Sequence, residues 1–200
     1  MKSKLKNKFF ILRHGQSLRN VKKVAACWPE KFYSPLTKEG REQVKTSAQK
    51  LKKEKIDLIF SSDLLRTKQT AEIVGKELKL KPKFDKRLRE VDVGVFNGRP
   101  IEEAGRFWDK EGKLTPLEYY SQRYKIAPPK GETYSDIEKR MASFIKETDK
   151  KYQGKNILIV GHERPLTLLE KAVKSYNLKK FVKILTEDQA IKTGEVRRLK

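Results

Sequence analysis

Apolar and polar positions along the chain alternate between short continuous runs and spaced stripes. Lys8 to Leu12 reads as an apolar run ending at Arg13-His14-Gly15, as a buried strand meeting a turn would. A long loop is expected next. From Thr37, Val44, Ala48 and Leu51 recur at i, i+4 and i+7, and Thr37 with Glu39 and Gly40 marks a start, so the pattern predicts an amphipathic helix. Asp57 to Ser61 reads as a second short strand, and from Asp63 onward Leu64, Ala71, Val74 and Leu78 share one helical face. Strand, turn, helix has then occurred twice.

Between Arg99 and Pro129 the texture changes to Trp108, Tyr119, Tyr120, Arg123, Tyr124 and a Pro128-Pro129 pair, which predicts a helical lid insertion, 99–130, closed by a rigid loop. A long helix is expected from Thr133, with Ile137, Met141, Phe144 and Ile145 in register. Asn156 to Val160 is the clearest strand, and its unbroken apolar character predicts burial on both faces. Alternation of this kind predicts an α/β fold, a three-layer α/β/α sandwich around a mostly parallel central sheet. With no internal repeat and no linker, residues 1–200 are expected to form a single domain carrying that insertion.

Composition narrows the classes. The longest strictly apolar runs, Phe9 to Leu12 and Ile157 to Val160, hold four residues each, against roughly 18 for a bilayer span. No membrane partner is therefore expected. Met1 to Lys8 carries four lysines, but Arg13 interrupts the apolar stretch after four residues, short of the roughly 7 to 15 of a secretory signal. Cys27 is the only cysteine, which excludes an intramolecular disulfide and a cysteine-based zinc cluster. A cytoplasmic location is expected.

Lysine and arginine number 48 against 26 acidic residues, a net charge of +22. Such a field attracts any anion: nucleic acid, acidic lipid or a phosphorylated metabolite. The cations are spread along the chain, which predicts a solvated lysine coat and contact with nucleic acid only through non-specific charge. There is no zinc-finger spacing, aromatic RNA-binding signature or basic zipper, and nothing in the pattern specifies an oligomer.

In parallel α/β sheets functional groups collect just beyond the carboxyl ends of strands. Both histidines sit there, His14 after the run ending at Leu12 and His162 after Val160 and Gly161. A lone strand-end histidine is more often structural, whereas two at equivalent positions point to chemistry. Arg13 stands beside His14, and Ser61-Ser62-Asp63-Leu64-Leu65-Arg66 places Arg66 early in its helix. Arginine forks suit the paired oxygens of a phosphate, and helix N-termini add backbone donors.

Arg13-His14-Gly15-Gln16-Ser17 followed by Asn20 resembles the histidine phosphatase superfamily in its phosphoglycerate-mutase-like branch. The agreement continues in order through Leu36-Thr37-Lys38-Glu39-Gly40, Ser61 to Arg66 with Thr70-Ala71-Glu72, Leu88-Arg89-Glu90 with Gly94 and Gly98, Gly131-Glu132-Thr133, and Gly161-His162. The resemblance implies phosphoryl transfer through a phosphohistidine on His14, with Arg13, Arg66 and His162 around the transferring group and no metal or organic cofactor. A neutral imidazole, pKa about 6.5, is a competent nucleophile at pH 7, and positioning with electrostatics does most of such catalysis. The branch takes its proton from a glutamate four residues before a glycine, and Glu90 with Gly94 matches that spacing. A carboxyl that donates at neutral pH has to be raised by burial or by a neighbouring anion. Gln16, Ser17, Asn20, Glu163, Arg164 and Arg123 are the expected substrate contacts.

The chain departs from the pattern at Glu163-Arg164-Pro165, where the family usually places a small residue after the second histidine. A carboxylate there repels phosphate unless neutral or paired, and Arg164 is its candidate partner. In the superfamily's acid-phosphatase branch an acidic residue at this point donates the proton, which makes Glu163 the alternative to Glu90. Phe96-Asn97-Gly98 replaces an aromatic, glutamate, glycine set, and Leu18-Arg19 stands where mutases tend to carry a tryptophan before Asn20. Mutase relatives hold the phosphoglycerate carboxylate with paired arginines on a longer insertion, whereas the 99–130 segment has Arg123 without an adjacent arginine. The expectation is a metal-independent phosphatase acting on a small phosphorylated substrate. A phosphoglycerate mutase is the alternative, and a basic nucleic-acid-binding protein with weakened catalysis is the reading from another class. Arg99, Arg106, Arg123, Tyr120 and Tyr124 are candidates for the leaving-group pocket, the tyrosines equally for packing the lid; Trp28 is expected to pack, and Cys27 is given no role.

Overall fold

A computed structural model describes residues 5–199; the first half of the lysine-rich start, residues 1–4, lies outside them. The element order is β1 (Lys8–Arg13), α1 (Leu18–Lys22), α2 (Lys38–Lys52), β2 (Leu58–Ser61), α3 (Leu65–Leu78), β3 (Lys83–Phe84), α4 (Ile101–Arg106), α5 (Pro116–Lys125), α6 (Tyr134–Lys151), β4 (Asn156–Gly161), α7 (Glu163–Lys174), α8 (Leu178–Thr186) and β5 (Val196–Arg198), with two 3-10 turns at Lys86–Leu88 and Gly94–Phe96.

The strands form one sheet in the order β3-β2-β4-β1-β5, with only β5 antiparallel to its neighbour. Successive side chains of a strand leave on opposite faces, and the two central strands use both. Phe9, Ile11, Ile157 and Ile159 pack with Ile137, Met141, Phe144 and Ile145 of α6 and Leu166, Leu169 and Val173 of α7. Phe10, Leu12, Leu158 and Val160 pack with Val44, Ala48 and Leu51 of α2 and Ala71 and Val74 of α3. Two cores on two faces make the three layers. Each fully buried Leu, Ile, Val or Phe contributes about 1.5–3 kcal/mol of transfer free energy, and four successive such residues in β1 and in β4 make these strands the centre of the sheet.

Caps set the helix starts. The Thr37 hydroxyl accepts from the Gly40 N–H at 3.0 Å, and Thr133 forms a reciprocal box with Asp136 at the start of α6. Gly15 and Gly40 have a different reason to be glycine. A Cβ on Gly15 would stand 2.2 Å from the Gly40 carbonyl oxygen, and one on Gly40 would stand 2.0 Å from that of Gln16. The turn after β1 therefore lies directly on the first turn of α2.

The structure corrects several sequence expectations. The expected long loop after Gly15 contains α1, a single turn capped by Ser17, whose hydroxyl donates to Asn20 Oδ1 at 2.8 Å. Trp28 is 47% exposed rather than packed inside; the Arg89 guanidinium covers its ring at 4.0 Å. In the 99–130 segment two helices, α4 and α5, replace a single excursion. Trp108 Nε1 donates to the Ile126 carbonyl at 2.8 Å, and the Tyr124 hydroxyl donates to Glu138 at 2.8 Å, which ties α5 to α6. No helix among the described residues is long and apolar enough to cross a membrane.

Candidate active site

Register builds the site. β1 and β4 run parallel with Arg13 opposite Gly161, so the next residue of each strand is a histidine at the same level of the sheet. Their ring centroids are 5.3 Å apart and both are fully buried. β2 pairs with the other edge of β4 and ends at Ser61 opposite Val160, which delivers Ser62 and the start of α3 to the same end. Arg66, one residue into α3, is also fully buried.

Hydrogen bonds fix the tautomer of His14. Its Nδ1 lies 2.8 Å from the Gly15 carbonyl, which can only accept, so Nδ1 carries the proton. Nε2 accepts from Arg66 Nε at 3.3 Å, leaving a lone pair aimed into the site. Burial, then the charges of Arg66 and Arg13, hold the imidazole well below its ordinary pKa. His162 is held low by burial, then by Arg66; its Nε2 meets the Ser62 hydroxyl at 3.0 Å and its Nδ1 has no partner. Arg66 donates to the Ala26 carbonyl at 3.0 Å, and burial lowers its pKa to about 9, so it remains a cation at neutral pH.

Glu90 lies opposite these groups. One carboxylate oxygen accepts from the Val91 N–H at 3.0 Å, while the other stands 4.0 Å from His162 Nδ1 and 3.7 Å from Arg19 Nη1. Arg13 donates to the Ile191 carbonyl at 2.9 Å and pairs with Glu163 at 2.5 Å. Glu163 pairs in addition with Arg164 at 2.6 Å. Burial pushes the Glu163 carboxyl up, but Arg164 and Arg13 more than offset it, so the group stays below the usual carboxylate range.

These residues open onto a cavity of about 310 Å³, walled further out by Val91, Val93, Ala104, Trp108, Tyr119 and Tyr120. Of the expected substrate contacts, Asn20, Glu163, Arg164 and Arg123 line it and Gln16 and Ser17 do not. Gln16 turns to α2, donating to Glu39 at 2.9 Å and accepting from Thr37 at 2.8 Å. Tyr120 lines the wall, whereas Arg99 pairs with Glu103, Tyr124 faces Glu138, and Arg106 stays outside. Arg19 and Ser62 are new to the picture. Both stand within segments whose other residues carry the motifs, and a basic residue one position before Asn20 was the available signal for Arg19. Among the described residues no group of three or more His, Cys, Asp and Glu side chains is placed to hold a metal ion.

Two histidines buried neutral have a measurable consequence. Below pH about 6.5 the unfolded chain takes up protons on them that the folded chain refuses, so folding stability falls as pH drops from that point. His14 and His162 are the only histidines. Calorimetric melting between pH 8 and 5 is expected to show a falling Tm below that threshold, flattened in a His14→Gln/His162→Gln double variant. A flat profile in the parent protein would contradict the buried neutral pair.

Comparison with known proteins agrees with this geometry. The chain is 32% identical over 166 residues to a probable phosphoglycerate mutase GpmB of Yersinia enterocolitica, covering 80% of this chain and 71% of that protein. It is 27% identical over 174 residues to phosphoserine phosphatase 1 of Hydrogenobacter thermophilus, covering 87% and 79%. A mycobacterial glucosyl-3-phosphoglycerate phosphatase shares the fold with a TM-score of 0.76 at 22% identity, over 96% of this chain and 89% of that one. The sequence profile of the histidine phosphatase superfamily, branch 1, matches residues 9–194. With nearly its whole length inside that match and its two histidines paired across β1 and β4, the chain belongs to the histidine phosphatase superfamily.

Proposed function

We propose that the protein is a metal-independent phosphatase that hydrolyses a small phosphomonoester through phosphorylated His14. One observation carries the reading. The unpaired Nε2 of His14 faces a group of buried donors without partners in the protein, Arg13 Nε, Arg66 Nη1 and His162 Nδ1. A buried donor left unsatisfied is costly, and a tetrahedral group with three charged oxygens is the species that satisfies all three while presenting its phosphorus to the lone pair.

In the first half-reaction His14 Nε2 bonds to phosphorus as the P–O(ester) bond breaks, and the departing oxygen takes its proton from Glu90. Arg13, Arg66 and His162 offset charge on the equatorial oxygens. In the second, Glu90 accepts a proton from water, whose oxygen bonds to phosphorus as the P–N bond breaks, releasing inorganic phosphate and restoring His14. Glu163, held ionised between Arg13 and Arg164, serves as their counter-ion and orients Arg13, which leaves the acid role to Glu90. Asn20 and Arg19 border the phosphate end. In this reading the 99–130 segment supplies the wall over the leaving group, within a single domain, and the lysine coat raises the local concentration of small anions.

The runner-up is a mutase, favoured by the likeness to probable phosphoglycerate mutases. It shares the first half-reaction and differs in passing the phosphoryl group to a second hydroxyl. Incubation with 3-phosphoglycerate and with an aryl phosphate in EDTA separates the two. Released inorganic phosphate from both substrates is the expected result; 2-phosphoglycerate formed in excess over phosphate would assign the chain to mutases instead.

A further inference from the structure

The buried polar atoms without hydrogen-bond partners do not all lie at the phosphate end. Two of them, Arg123 Nε and the Tyr134 hydroxyl, belong to α5 and the start of α6. The Arg123 guanidinium is sandwiched between rings, 4.4 Å from the centroid of Trp108 and 4.5 Å from that of Tyr134, with Tyr119 at 5.8 Å. Stacking of this kind holds a guanidinium in place yet uses none of its five N–H donors. Among the described residues Arg123 makes no hydrogen bond and no ion pair. The Tyr134 ring is 1% exposed, and its hydroxyl is close enough to Arg123 and Arg164 for both charges to act on it.

The charge of the cavity wall is unbalanced in the same direction. Arg13 and Arg164 share Glu163, and Arg19 faces Glu90. Arg123 has no carboxylate, although it lines the same cavity. Between it and the phosphate end the wall is carbon: Ala104, Trp108, Tyr119 and Tyr120. A fixed guanidinium with unspent donors, a buried hydroxyl with none of its bonds made, and an apolar span leading to a phosphate site describe a receptor for an anion at the far end of a short carbon skeleton.

We propose that Arg123 and the Tyr134 hydroxyl, with Arg164 beside them, form a second anion subsite, so that the preferred substrates are small phosphomonoesters whose alcohol carries an anionic group of its own, a carboxylate or a second phosphate. This rests on the phosphomonoesterase reading and adds to it which esters are taken. The first anion lies against His14 and Arg66, the skeleton lies along Trp108 and Tyr120, and the second anion takes N–H donors from Arg123 and the O–H of Tyr134.

The test is binding to the full-length His14→Gln chain, where hydrolysis does not intervene, measured by calorimetry with three probes. Glycerol 3-phosphate ends in an uncharged hydroxymethyl group, 3-phosphoglycerate replaces it with a carboxylate, and glycerol 1,3-bisphosphate with a second phosphate. At least one dianionic probe is expected to bind about tenfold or more tighter than glycerol 3-phosphate, the scale of one charge-assisted pair, and which of the two gains identifies the group. That ratio is expected to collapse when Arg123→Gln is added. It should fall several-fold with Tyr134→Phe, which deletes only an oxygen without a partner and so leaves the packing intact. Equal affinity for all three probes would overturn the subsite while leaving the phosphatase reading standing, as would a preference that survives both substitutions. Binding of none of them would overturn both.

Discussion

Replacing His14 with alanine is expected to lower phosphomonoester turnover by about 10⁴-fold or more, the scale seen when a covalent nucleophile is deleted. The reason lies in how the ring is held. The Gly15 carbonyl takes the Nδ1 proton and Arg66 meets Nε2, so the lone pair is oriented before substrate arrives, and burial with two neighbouring arginines keeps it unprotonated at neutral pH. No other nucleophile shares its position: His162 presents Nδ1 toward Glu90, and the Cys27 thiol is pushed up to about 12 by burial and sits against Asp92. The assay is aryl phosphate hydrolysis in EDTA at pH 7.5. A quench in alkali, which preserves phosphoryl bound to imidazole nitrogen, should recover label on the parent chain and none on the variant. Activity within tenfold of the parent would remove the phosphohistidine from the mechanism.

The fold was most legible where the chain is most apolar. Phe9 to Leu12 and Ile157 to Val160 are buried on both faces, and a residue facing a core on either side has to be apolar at every position; these two runs are the central strands. The histidines after them could be read as a pair because parallel strands in register bring equivalent positions together. The edge was illegible for the same physical reason. β5 is Val196-Arg197-Arg198, one strand from solvent, and leaves no apolar run to find. α8 buries Phe181, Val182 and Ile184 behind four lysines between 174 and 183, so its stripe is masked by the charge of its outer face.

Within the site, motif position and side-chain direction part company. Gln16 follows the Arg13-His14-Gly15 turn directly, yet the contact of Gly15 with Gly40 draws the chain against α2, where the Gln16 side chain spends its bonds on Thr37 and Glu39. Arg19 reaches the site because the turn of α1 directs it past Val24, whose carbonyl accepts from its Nε at 3.0 Å. Neither direction is encoded in a local pattern; both follow from packing of segments far apart in sequence. The Glu163-Arg164 departure is explained in the same terms. A carboxylate next to a phosphate site would cost binding if alone, but between two guanidiniums it completes the alternation Arg13, Glu163, Arg164, and its charge is already neutralised when an anion enters.

Glu90→Gln is expected to lower turnover of alkyl phosphates by about 10²- to 10⁴-fold, the range for loss of a general acid, with a dependence on the leaving group that identifies the role. An alkoxide cannot depart without a proton, so phosphorylation of His14 fails with glycerol 3-phosphate. A nitrophenolate departs unaided, so with 4-nitrophenyl phosphate the first half-reaction survives and the second, which needs a base for water, becomes limiting. The variant should then release nitrophenol in a burst of about one equivalent per chain and accumulate phosphorylated His14. The carboxylate sits at the place this requires, 4.0 Å from His162 Nδ1 and on the cavity wall, whereas Glu163 is committed to Arg13 and Arg164. Rapid-quench measurements on Glu90→Gln and Glu163→Gln decide between them: a burst in Glu163→Gln with none in Glu90→Gln would transfer the acid to the residue beside the second histidine, and with it the likeness to the acid-phosphatase branch.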